Sequence, residues 1–239
     1  LVILIASVGR GAEDFDDLAG RLATAGYRTA AINPRGVGVS VGPPARSLRD
    51  YAADVAHVAR TLSPDAPAIL VGHAFGNRVA RATAAFAPDQ VSGLILLACG
   101  GQAPIPPDAA AALRDVFDVS LSAHAHMTAV QTAFFAPGNE PAVWREGWYP
   151  AVALAQQTAL HATAPESWSG GGAVDMYIIQ AQADVIAPPA NAQALKAAYP
   201  DRVTVTTLPD AGHAILPEQP ERVAQLVLAG LSRLTRDTG

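Results

Sequence analysis

Residues 69–78 read ILVGHAFGNR, and the reading of this stretch decides the fold. A short apolar run ends at Gly72, His73-Ala74-Phe75-Gly76 follows, and NRVARATAAF continues with helical spacing to about Phe86. A buried strand turning sharply into a helix has this layout, because glycines on either side of the bend let the backbone pass close to its neighbours. The residue at the bend is Ala74, whose methyl group cannot act as a nucleophile.

Outward from the bend the same unit repeats. LVILIA leads to the helix-like AEDFDDLAGRLATAG, YRTAAIN to the turn-rich PRGVGVSVGPP, and SLRDYAADVAHVARTL to PAILVG; later come VSGLILLAC, DMYIIQAQ, NAQALKAAY, RVTVTTLP and PERVAQLVLAGLSRL. Strand and helix in strict alternation predict an α/β fold, a doubly wound and mostly parallel sheet covered on both faces. The strands read as continuous apolar runs, which suits burial on both faces. Ser47 is placed to cap one helix, Gly26 to end another, and Pro217 to open the last helix with Glu218 and Glu221 near its positive end. Alternation breaks over residues 102–172, which are rich in Ala and Pro and read as short helices. The expected organisation is therefore a core of residues 1–101 and 173–239 with a helical cap at 102–172, set at the carboxyl edge of the sheet where it can cover a crevice.

Composition narrows the function. A chain of 239 residues can bury roughly 70–75% of its unfolded surface. Half its residues are apolar, 15% are charged and the net charge is −5, which argues against disorder and against a nucleic-acid partner. The expectation is a soluble globular protein that takes a small-molecule substrate. No window approaches the roughly 20 apolar residues of a membrane span. LVILIASV is too short, and lacks the basic flank, for a secretory signal. The compartment stays open, cytoplasmic or, with a leader removed, periplasmic or secreted, and so does the oligomeric state. The single cysteine, Cys99, excludes an intrachain disulfide and reads as a buried structural thiol.

Two more stretches carry chemistry. In IIQAQADVIAPP, Asp184 follows a buried strand, and in LPDAGHAILPEQPERV, His213 lies between the last strand and the last helix. With VGHAFGNRVAR and NPRGVGVS, these stretches make the chain resemble the α/β-hydrolase fold family, specifically its cap-bearing, esterase-like branch, from Leu1 to the last helix. The resemblance puts Ala74 at the nucleophile position, His213 at the general base and Asp184 at the acid that fixes the imidazole tautomer. It implies an oxyanion hole from the backbone N–H of Phe75 and, after the first strand, of Val8. The chain departs from the family in that loop, with Ala6-Ser7 where relatives often have His-Gly; Gly9 and Gly11 keep its backbone free to approach a ligand.

The remaining candidates have plainer explanations. His73 reads as a packed neighbour of the bend, and His57 and His161 as ordinary helix residues. His124 and His126 lack a nearby Cys, Asp or Glu to complete a metal site, and the chemistry calls for no metal or cofactor. PRGVGVS lacks the Lys-Ser/Thr ending of a phosphate loop and reads as a turn that carries Arg35 near the crevice, while Ser7 and Ser40 are weak substitutes for the missing hydroxyl. Phe134, Phe135, Trp144, Trp148 and Tyr149 concentrate in the cap; they suit an apolar ligand and suit packing of the cap onto the core equally well.

Two accounts of Ala74 follow. In one, serine is the natural or ancestral residue and alanine traps an uncleaved ester; the loss lowers turnover by a factor on the order of 10⁶ and spares binding. In the other, alanine is native, and His213 with Asp184 acts as a general base without a covalent intermediate, or the protein binds a small molecule without turnover.

Overall fold

The structure is a computed structural model that describes residues 1–236. Six strands form one parallel sheet: β1 (Val2–Ile5), β2 (Thr29–Ile32), β3 (Ala68–His73), β4 (Val91–Leu97), β5 (Met176–Ala181) and β6 (Val203–Leu208), in the order β2-β1-β3-β4-β5-β6. The four-residue β1 is paired on both sides, with Leu4 opposite Ala31 of β2 and Val71 of β3. The chain runs from β1 outward to β2 and then returns to β3 on the other side of β1. That reversal opens a crevice beyond the carboxyl ends of β1 and β3, where such sheets bind ligands.

Alternating side chains of the central strands serve two cores. Ile3, Leu70, Leu94 and Leu96 pack against α2 (Leu48–Leu62), α3 (Phe75–Phe86) and α7 (Ala190–Ala198). Leu4, Val71, Ile95 and Leu97 pack against α1 (Asp16–Thr24) and α9 (Pro220–Arg236). The apolar reading of the strands holds for the centre of the sheet, whereas the edge strand β6 keeps Thr204, Val205 and Thr206 only partly buried. Gly26 follows α1 at φ +89°, a conformation that Gly adopts without a Cβ clash. At the start of α2, Asp50 accepts the Ser47 N–H at 3.1 Å.

One helix start differs from expectation. Pro217 lies in a separate one-turn helix, α8 (Ile215–Glu218), and the last helix opens at Pro220. A proline disfavours helical backbone in the residue before it, and Gln219 accordingly takes φ −140° and ψ 62°, which breaks the segment in two. Only Glu221 sits in the first turn of α9. Between β4 and β5 the chain forms α4 (Pro107–Asp115), α5 (Ala123–Phe134) and α6 (Pro150–His161), with no strand there among the described residues. No described helix is long and apolar enough to cross a membrane.

Candidate active site

The bend after β3 is built as its sequence requires. Ala74 takes φ 51° and ψ −106°, a strained conformation for a residue with a side chain, at a typical cost of about 1–3 kcal/mol. Its neighbours hold it there. A Cβ on Gly72 would lie 2.4 Å from the Gly76 carbonyl oxygen, and one on Gly76 would lie 2.0 Å from that of Ile5, so the first turn of α3 packs directly on the end of β1. The Ala74 N–H donates to Leu97 O at 2.9 Å, and Asn77 Nδ2 donates to Ala98 O at 3.0 Å, tying the bend to β4.

Parallel strands bring the other groups to the same edge. Asp184, in the loop after β5, accepts N–H bonds from Ile186 at 2.9 Å and Ala187 at 2.7 Å. His213, in the loop after β6, places Nδ1 2.9 Å from Asp184 Oδ2 and 3.0 Å from Oδ1, with both side chains almost fully buried. Ala74, Phe75, Val8 and His213 line one cavity of about 160 Å³. The backbone N–H groups of Val8 and Phe75 have no acceptor among the described residues.

A sequence model of the alpha/beta hydrolase family matches residues 2–226. The chain belongs to that family. Among solved structures, the chain is similar to a thermophilic esterase from Thermogutta terrifontis, with 24% identity, TM-score 0.78, and 98% of this chain and 89% of that one covered. It is also similar to E-2-(acetamidomethylene)succinate hydrolase, at 22% identity and TM-score 0.77 over 97% and 91% of the two chains. An esterase from Exiguobacterium antarcticum gives 17%, 0.77, 97% and 91%. At these identities the likeness is one of fold. A search of curated proteins returned no match.

Several groups of the chain have partners far away in sequence. His73 is completely buried, and its Nε2 donates to the His213 carbonyl at 2.8 Å, which leaves Nδ1 without a partner among the described residues. Burial first, and then the nearby His213, push its pKa down to about 3, so the ring is neutral. Glu218 accepts N–H bonds from Ala136 and Gly212, each at 2.7 Å, and so joins the end of α5 to the His213 loop. Burial raises its pKa. Gln156 of α6 accepts the Gly9 N–H at 2.7 Å and steadies the loop that carries Val8. In the sequence Glu218 stands out only as an acid near a helix start and Gln156 is not singled out, since nothing there signals partners so many residues away.

Of the five aromatics, only Phe134 lines the cavity with Ala74. Phe135 packs edge-on against Trp144; the Arg10 guanidinium lies 4.6 Å from the Trp144 ring centroid and 4.5 Å from that of Trp148, two rings that themselves meet edge to face; and Tyr149 donates its N–H to Gly9 O. Trp144, Trp148 and Tyr149 thus contact Arg10 and Gly9 of the core, and these contacts are ones of packing. Arg10, also missed in the sequence, is ion-paired to Asp14. Arg35 is not among the residues that line the cavity, and Asp54 of α2 accepts its guanidinium N–H groups at 2.7 and 2.8 Å. Ser7 and Ser40 are not among the cavity-lining residues. His126 packs against Trp148, and no group of three potential metal ligands occurs among the described residues.

Proposed function

We propose that this member of the alpha/beta hydrolase family carries a carboxylic-ester-hydrolase site from which only the nucleophilic hydroxyl is missing, and that α4 to α6 act as its cap over a small to medium, largely apolar substrate. The observation that carries the reading is that His213, held 2.9 Å from Asp184 Oδ2, lines one cavity with a strained Ala74. A methyl group gains nothing from that strain, whereas a hydroxyl at the same bend would be held out toward the imidazole.

The roles follow from the donors and acceptors. An ionised Asp184 can only accept, so Nδ1 of His213 carries the proton toward it and Nε2 presents its lone pair to the cavity. The N–H groups of Val8 and Phe75 serve an oxyanion on the substrate carbonyl. His73 holds the His213 backbone, and because it is neutral it adds no charge to compete with an imidazolium.

Restoring Ala74→Ser tests this. A short-chain p-nitrophenyl ester should then give a burst of about one nitrophenolate per chain followed by slower turnover. A folded variant without a burst would overturn the proposal. One observation favours a second reading: His213 Nε2 has no partner among the described residues. The pair can therefore act as a general base on water or on a substrate proton with alanine in place. Turnover by the unchanged chain that disappears in His213→Ala would establish that version.

A further inference from the structure

Arg78 is the charged group that the proposed chemistry leaves unused. It lies in the first turn of α3, four residues after Ala74 and therefore on the same side of the helix. It lines the cavity that holds Ala74 and His213, and also borders a second cavity of about 270 Å³ lined by Gln102, Leu160 and Thr163. No hydrogen bond or ion pair engages its guanidinium among the described residues. The neighbouring Arg81 behaves differently, since Gly100 O, Ser169 O and Asn77 all accept its N–H groups. Gly100 packs against Arg78 so closely that an added Cβ would sit 2.9 Å from its Nε.

The rest of the Ala74 cavity supplies no countercharge. Its lining contains no Asp or Glu, and Ile105, Leu113, Leu160 and Ile186 give it apolar walls. Burial pulls the pKa of Arg78 down to about 10, so it remains a cation at neutral pH. A largely desolvated cation without a partner is costly, and a ligand that supplies the partner recovers that cost on binding.

Resting on the ester-hydrolase reading above, we propose that the substrate is an ester whose apolar body ends in a free carboxylate, and that Arg78 binds that carboxylate. A carboxylate matches the guanidinium in geometry, accepting two parallel N–H bonds, and in charge. A phosphate, at about −1.5 to −2, would leave excess negative charge against apolar walls. The reacting carbonyl lies between Ala74 and His213 and the carboxylate lies one helical turn along α3, so a short aliphatic spacer separates them.

The test uses the chain as it stands. Calorimetric titration compares methyl hydrogen malonate, succinate and glutarate with the corresponding dimethyl esters. At least one half-ester should bind about tenfold or more tightly than its diester. Arg78→Gln should bring that pair within about twofold, while Arg78→Lys should keep part of the preference; thermal melts confirm that both variants fold. Equal binding in all three pairs, a preference that survives Arg78→Gln, or no half-ester binding to the folded chain would overturn the inference. Because these are binding measurements without a nucleophile, a missing burst in Ala74→Ser leaves them standing. Conversely, an Ala74→Ser variant that cleaves half-esters and diesters equally well would overturn Arg78 recognition and leave the ester-hydrolase reading intact.

Discussion

Lowering the pH from 7 to 5 should destabilise this protein through His73, by an amount that follows from its surroundings. The imidazole is completely buried, donates Nε2–H to the His213 carbonyl at 2.8 Å, and has its pKa pushed down to about 3 from an ordinary value of 6.5. In that window the unfolded chain binds a proton at position 73 that the folded chain excludes, so stability rises with pH. The contribution is fully present above 6.5 and is lost as the pH falls toward 3. Between pH 7 and 5 linkage gives about 2 kcal/mol from this one group. His73→Gln retains an N–H donor for the carbonyl and cannot titrate, so it should remove that part of the pH dependence while other groups contribute alike to both proteins. Urea unfolding of both at pH 7 and 5 measures the difference. Since the His213 ring lies 5.3 Å away, the same pair of measurements in a His213→Ala background removes its share. Equal pH slopes in the parent and His73→Gln would refute a neutral, fully desolvated His73.

Three further outcomes follow from the geometry. Gly76→Ala places a Cβ 2.0 Å from Ile5 O, backbone that cannot move aside, and should cost about 3 kcal/mol or more in thermal or urea unfolding. Gln156→Ala leaves the Gly9 N–H buried without its acceptor and should cost about 1–3 kcal/mol in the same assay. In an Ala74→Ser background, Asp184→Asn should lower kcat on a p-nitrophenyl ester by a factor on the order of 10⁴ with little change in fold, read by steady-state kinetics and circular dichroism.

The parts legible in the sequence are those whose physics is local. Gly72 and Gly76 announce a bend because only glycine permits backbone contacts as close as those they make. The parallel sheet was readable from apolar runs alternating with helical spacing, and a parallel sheet brings the loops after β1, β3, β5 and β6 to one edge, which is why Val8, Ala74, Asp184 and His213 gather. What escaped depends on partners far along the chain. Gln156 meets Gly9 across 147 residues, and Glu218 meets Ala136 across 82. The aromatic group was visible as composition, but whether a Trp faces a ligand or clamps Arg10 is decided by tertiary packing. The sequence opens the last helix at Pro217; the break at Gln219, just before Pro220, is a backbone choice between two closely spaced prolines that helical spacing does not reveal.

On the proposed reading, position 74 lacks a hydroxyl and nothing else that acyl transfer needs. Treating Ala74→Ser with a fluorophosphonate and measuring intact mass tests it directly. The expected result is one adduct per chain, mapped by peptide analysis to position 74 and absent from both the unchanged chain and the Ala74→Ser, His213→Ala double variant. A folded Ala74→Ser protein that remains unlabelled, or is labelled equally well without His213, would contradict it.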